Sequence, residues 1–116
     1  MSKSPIEYLK HILDEITFLE GETADYSEEQ FMRDELKQRA FARSLEIIGE
    51  AIKMVPDEFR AKHPEIDWKS FAGLRDKLIH HYFGVAYAIV WDVIKNELPT
   101  LKAKIQTILS EGSPVS

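Results

Sequence analysis

Cysteine is absent from the 116-residue chain, which excludes disulfides and thiolate metal sites outright. Long apolar runs are missing too. The opening residues MSKSPIEYLK lack the hydrophobic stretch of a signal peptide, and no later segment approaches membrane-spanning length. The expectation is therefore a cytoplasmic protein with no membrane partner. Positive charge is in deficit: 15 Lys and Arg against 20 Asp and Glu give a formal charge of −5. That balance argues against broad, non-specific nucleic-acid binding, which usually comes with a basic surface. No internal repeat and no strand-like alternation of polar and apolar residues is visible.

What is present is an ordinary globular mixture, 44% hydrophobic and 30% charged. A chain of this length buries enough surface for a core without staples, and residues 1–116 are expected to form one domain. Its core should span about 4–109, with residues 110–116 a flexible tail. Ser4-Pro5-Ile6-Glu7 has the form of a capping box with proline at the first helical position. Ile6, Leu9, Leu13, Ile16 and Leu19 follow at helical spacing, and Gly21 reads as the stop. Ser27-Glu28-Glu29-Gln30 is a second capping box. It heads one long helix through Phe31, Leu36, Phe41, Leu45, Ile48, Ile52 and Val55, ended by Pro56 and central in the fold. Residues 56–67 read as a connection with a short extra helical turn near 57–60.

A third helix should begin at Asp67 or Trp68, carry Phe71, Leu74, Leu78 and Ile79, and end or bend at Gly84. The fourth carries Tyr87, Trp91, Ile94, Leu98, Leu101, Ile105 and Ile108, with a kink or restart near Glu97 forced by Pro99. The reading is all-α, an antiparallel four-helix bundle.

Charge is unevenly spread along these elements. The first third is acidic, whereas residues 59–82 hold five cations against three carboxylates and three of the four histidines. Within that stretch, Gly73-Leu74-Arg75-Asp76-Lys77-Leu78-Ile79-His80-His81-Tyr82 crowds polar chemistry just before a glycine. On one helix Arg75 and Tyr82 are about 700° apart and so nearly share a face, while Arg75 and His80 diverge by roughly 140°. Convergence of Arg75 and His80 then requires a helix end near His80 or a second copy of the segment from a symmetric partner. Arginine offers a planar fork that matches phosphate, and histidine exchanges protons near neutral pH. With RNA as substrate, its own 2′-OH is the nucleophile. Structural roles compete with this reading: Arg75 in a surface ion pair, Asp76 paired with His80 one turn on, Tyr82 as a packed aromatic. His63 and His81 read as solvent-facing bystanders, and no recognised ligand spacing makes a metal site of His63, His80 and His81.

Arg75-x4-His80-x-Tyr82 resembles the R-x4-H-x-Y motif of HepT-like proteins of the HEPN superfamily. Trp68-Lys69, Gly73–Asp76, Phe83-Gly84-Val85, Ile89–Ile94 and Leu98-Pro99 resemble that family as well. Ala86 departs from it, standing where an acidic residue is expected. The resemblance implies a HEPN-like bundle that forms a homodimer and acts as a metal-independent endoribonuclease toxin. Arg75 and His80 would be catalytic, Asp76 and Lys77 supporting, with no metal and no cofactor of its own. It further implies neutralisation by an MntA-like nucleotidyltransferase antitoxin, which uses ATP to place AMP on Tyr82. The alternative is a non-catalytic helical module that docks a nucleotidyltransferase or binds nucleotide. A purely structural dimerisation domain is a third reading.

Overall fold

The structure, a computed structural model, describes residues 4–78 and 86–111. Among these residues every regular element is helical and none is a strand. Helix α1 spans Pro5–Thr23 and opens on the expected box: Ser4 Oγ accepts from the Glu7 amide at 3.3 Å while Glu7 Oε2 accepts from the Ser4 amide at 3.3 Å. Gly21 does not stop it. Glycine inside a helix costs only about 1 kcal/mol, and burial of Leu19 and Thr23 carries the helix onward. The Thr23 hydroxyl donates to the Leu19 carbonyl at 2.8 Å, so its burial leaves no polar atom unpaired.

The long second helix expected from Ser27 is two helices, α2 (Glu28–Phe31) and α3 (Glu35–Met54). Ser27 and Gln30 do form a capping box, at 3.1 and 2.9 Å, yet it heads a single turn. A stronger start competes three residues on. Asp34 Oδ1 accepts from the Lys37 amide at 3.1 Å, and the Tyr26 hydroxyl donates to the other carboxylate oxygen at 2.8 Å, holding Asp34 in place. The break lets Phe31 turn inward, fully buried, to stack on Phe41 at 5.2 Å and pack against Trp91 at 5.5 Å. Leu36, placed in the apolar stripe by spacing alone, consequently lies on the outer side of α3's first turn and is 79% exposed.

Helix α4 (Asp57–Lys62) is the extra turn expected near 57–60. Its Arg60 reaches back to the end of α3, donating to the carbonyls of Ile52 at 2.7 Å and Val55 at 3.0 Å. Those carbonyls are among the acceptors that a helix end leaves open, so this arginine of the basic stretch serves as a cap. The third expected helix is divided at Gly73 into α5 (Trp68–Ala72) and α6 (Leu74–Leu78). Trp68 anchors its start: the ring is buried and Nε1 donates to the His63 carbonyl at 2.8 Å.

The last unit runs as α7 (Tyr87–Asp92), a π-helical turn (Val93–Glu97) and α8 (Leu98–Glu111). The irregularity falls where Pro99 predicts it. Proline has no amide hydrogen, and its ring crowds the carbonyl four residues back. Widening the preceding turn, with the Leu98 amide bonded to the Val93 carbonyl five residues back, relieves that clash without ending the helix.

Helix α3 is central, as its wide apolar stripe implies, touching α1, α2, α5, α6 and α7, while α8 packs on α1. Leu9, Ile12 and Ile16 of α1 meet Phe41, Leu45, Ile48 and Ile52 of α3, all fully buried. Val90, Val93, Leu101 and Ile105 complete the same core from the last unit. Each such side chain contributes about 1.5–3 kcal/mol before entropy is subtracted. The buried Ser44 hydroxyl bonds Glu15 at 2.6 Å, and among the described residues no buried side-chain polar atom lacks a partner. The protein is the all-α bundle that the sequence pattern implies.

Candidate active site

Helix α6 is seated by its two leucines. Leu74 and Leu78, one turn apart, are 1% exposed and face α3. The approach is close because α3 carries Gly49 at the crossing: a Cβ there would lie 3.2 Å from the Phe71 carbonyl oxygen and 3.5 Å from Leu74 Cβ. With 74 and 78 turned inward, helical geometry turns 75 and 76 outward. Arg75 and Asp76 are accordingly exposed, and among the described residues neither has an ion-pair partner. The surface ion pair that would give Arg75 a purely structural role is thus not found among those residues.

Lys77 has a different setting. Its Nζ lies 2.9 Å from Glu97 Oε2, with the two side chains 39% and 29% exposed, so the pair is partly shielded. It ties α6 to the π-helical turn 20 residues on. Glu97 was not singled out by sequence reasoning; the only signal was its place at the expected kink. Arg60, one of the five cations of the basic stretch, is spent on the α3 cap. His63, read as a solvent-facing bystander, is half-buried: its ring stands 4.6 Å from that of Phe59 and its Nδ1 3.4 Å from Glu65. Among the described residues there is no cluster of three or more His, Asp or Glu suited to a metal ion.

His80 and Tyr82, with Ile79, His81, Phe83, Gly84 and Val85, lie outside the described residues. What the structure does give is the two ends of that segment. The Ala86 amide donates to the Leu78 carbonyl at 2.8 Å, so the chain leaves α6 and enters α7 at one point. Arg75, one turn before Leu78, and Tyr87, first residue of α7, therefore belong to one corner of the molecule. Ala86 sits at the N-cap of α7 with no side-chain hydrogen bond to the helix, the local consequence of its departure from the expected acidic residue.

The fold is thus an all-helical bundle with an exposed arginine shortly before a histidine- and tyrosine-bearing segment of the sequence. Comparisons with known proteins place this arrangement in a family. Residues 12–108 match the family model described as Ribonuclease HepT-like, and the chain belongs to that family. A protein of Caldanaerobacter subterraneus subsp. tengcongensis, named as a candidate RNase, is 51% identical over 109 residues, 94% of this chain and 97% of the relative. A candidate RNase of Methanocaldococcus jannaschii is 42% identical over 104 residues, covering 90% of this chain and 86% of the relative. A Thermococcus cleftensis protein named probable ribonuclease HepT is 43% identical over 108 residues, 93% of this chain and 98% of its own. No solved structure matches the chain. Among the described residues no helix is long and apolar enough to cross a membrane.

Proposed function

We propose that this protein is an endoribonuclease acting on RNA by internal attack, with Arg75 and His80 as its catalytic groups. The observation that carries the proposal is the family match over residues 12–108, which contains the whole Arg75-x4-His80-x-Tyr82 motif. In the reaction the RNA 2′-oxygen attacks the adjacent phosphorus and the bond to the 5′-oxygen breaks. The products are a 2′,3′-cyclic phosphate and a 5′-hydroxyl. His80 takes the 2′-OH proton or supplies one to the leaving oxygen, and Arg75 offers its fork to the non-bridging oxygens as charge builds there. The exposure of Arg75 and its lack of an ion-pair partner among the described residues support this role. Asp76 and Lys77 are supporting residues, Lys77 by bracing α6 against Glu97. No metal and no cofactor of the protein's own enters this scheme.

The site is shared between two copies of the chain in a homodimer, which answers the divergence of Arg75 and His80 on a single helix. In the cell the protein is the cytoplasmic toxin of a toxin–antitoxin pair. A nucleotidyltransferase antitoxin silences it: the Tyr82 oxygen attacks the α-phosphorus of ATP, pyrophosphate leaves, and AMP remains on the tyrosine. Negative charge and bulk then occupy the place of an RNA phosphate.

The test is cleavage of a mixed RNA pool, in the presence of a chelator, by wild type beside His80→Ala. Cleavage by wild type alone, leaving cyclic phosphate ends, is expected; equal cutting by the variant would remove His80 from the mechanism. The net charge of −5 favours a second reading, a binding module that docks the nucleotidyltransferase or holds nucleotide without cutting. Tight complex formation with no cleavage by unmodified wild type, its mass checked for added AMP, is the result that reading requires.

A further inference from the structure

The turn between α2 and α3 faces the start of α7 across a groove of about 290 Å³, lined by Met32, Arg33, Glu35, Gln38, Arg39 and Tyr87. We infer that this groove is a subsite for one unpaired nucleotide of the RNA, its base held against Tyr87 and its phosphate met by Arg33 and Arg39. The inference rests on the ribonuclease reading above and adds to it a place where the substrate is held, outside the motif.

Tyr87 follows Ala86, whose amide is bonded to the carbonyl of Leu78, so the groove opens beside the end of the helix that carries Arg75. Single-stranded RNA is recognised chiefly by stacking of splayed bases on aromatic rings and guanidinium planes, with hydrogen bonds to base edges. Tyr87 is half-buried and fixed near-perpendicular against Phe31, with ring centres 6.2 Å apart, and it presents its remaining surface to the groove. Met32, 46% exposed, adds an apolar contact. Gln38 and Glu35 offer edge partners for a base, although Gln38 already donates to the Phe31 carbonyl at 3.0 Å.

The arginines are available despite their neighbours. Arg33 pairs with Glu29 at 3.3 Å and Arg39 with Glu35 at 2.7 Å, but their side chains are 79% and 73% exposed. Exposed pairs one turn apart on a helix contribute about 0.3–0.5 kcal/mol each. A phosphate engaged by a guanidinium fork gives a stronger, charge-assisted contact, so RNA displaces the glutamates at small cost. The groove is roomy enough to take a single base.

The test measures binding and cleavage separately. Fluorescence anisotropy follows a labelled single-stranded RNA with every 2′-oxygen methylated, which binds without being cut. Variants are Arg33→Ala with Arg39→Ala, Tyr87→Leu, and as control Arg43→Ala, which removes an exposed arginine of α3 outside the groove. The double arginine variant and Tyr87→Leu are each expected to raise Kd at least about fivefold. The arginine variant should also flatten the salt dependence of binding, by about one unit of slope for each lost phosphate contact. The control should stay within twofold, and thermal melts establish that the variants are folded. Unchanged affinity in both groove variants, while wild type still cleaves unmodified RNA, overturns the subsite and leaves the ribonuclease reading standing. Unchanged affinity together with a shift in oligomeric state assigns this face to a protein contact and overturns the subsite too. Wild type that neither binds nor cleaves RNA overturns both.

Discussion

Ala86→Asp should stabilise the protein, and the size of the gain follows from two caps already present. Ala86 is the N-cap of α7 with φ −85° and ψ 93°. Asp67, which caps α5, has φ −80° and ψ 73°, and Asp34, which caps α3, has φ −113° and ψ 87°. In both, a carboxylate oxygen accepts from the amide three residues on, at 3.2 and 3.1 Å. The backbone at position 86 is therefore already shaped for an aspartate whose carboxylate accepts from the Ile89 amide. Ala86 is half-exposed, which leaves room for the longer side chain. Restoring a missing cap contributes about 1 kcal/mol, and a carboxylate at a helix N-terminus adds about 0.3–1 kcal/mol. For a domain of this size a gain of 1 kcal/mol raises Tm by about 4 °C, so calorimetry at neutral pH should show an increase of about 5–8 °C. Ala86→Asn, a cap without the charge, separates the two contributions and should raise Tm by about 4 °C. A Tm that is unchanged or lower in both variants would refute the reasoning, since neither the cap nor the charge would then act. The same carboxylate stands beside the motif segment, where it repels RNA phosphate. Ala86→Asp should bind RNA more weakly than Ala86→Asn, a trade of affinity for stability.

Gly49→Val should cost about 1–3 kcal/mol, read as a lower urea midpoint, because its branched Cβ meets the Phe71 carbonyl and pushes α5 and α6 off α3. Gly49→Ala should cost less, because alanine recovers about 1 kcal/mol of helix propensity; a valine variant as stable as wild type would show that the crossing is loose. Burial first, and then Asp34, push the Tyr26 hydroxyl up from 10.0 to about 12. Folding favours the neutral phenol, so the stability it contributes is whole below pH 10 and is lost as pH rises toward 12. Wild type minus Tyr26→Phe in tyrosinate absorbance should therefore titrate near 12, and a midpoint at 10 would refute the contact. Asp34 moves the other way: the Lys37 amide first, then the Tyr26 hydroxyl, hold its carboxyl below the usual carboxylate range. Its contribution is present above that range and is lost as pH falls through the lowered value. Carboxyl-detected NMR should show Asp34 titrating higher in Tyr26→Phe than in wild type.

The accuracy of the sequence reading tracks how local each determinant is. Ser4 with Glu7, and Ser27 with Gln30, are contacts three residues apart, and both boxes form as written. Pro99 acts on the turn before it, and the distortion falls on Val93–Glu97. Errors begin where two local signals compete and a tertiary contact decides between them. Ser27 and Asp34 are both competent helix starts; burial of Phe31 against Phe41 and Trp91, far along the chain, decides that both are used and leaves Leu36 outside. Gly21 is a competent stop, overridden by burial of Leu19 and Thr23.

The candidate site divides along the same line. Arg75, His80 and Tyr82 form a string of fixed spacing, and a string is what a sequence displays. The divergence of Arg75 and His80 on one helix is equally legible, and it demands a turn or a partner copy without saying which. Lys77 shows what spacing cannot carry. Its charge marks it as part of the basic segment, yet its partner Glu97 lies 20 residues away, brought within 2.9 Å by the widened turn before Pro99. The proposed nucleotide groove is more remote still. It joins Arg33 and Arg39, beside the α2–α3 turn, to Tyr87, and the close contact of Leu78 with Ala86 brings it to the Arg75 corner. On that proposal, total charge is a poor guide to where RNA is held. An acidic protein can present exposed arginines such as Arg33, Arg39 and Arg75 at one corner while the fold commits others, such as Arg60, to helix ends.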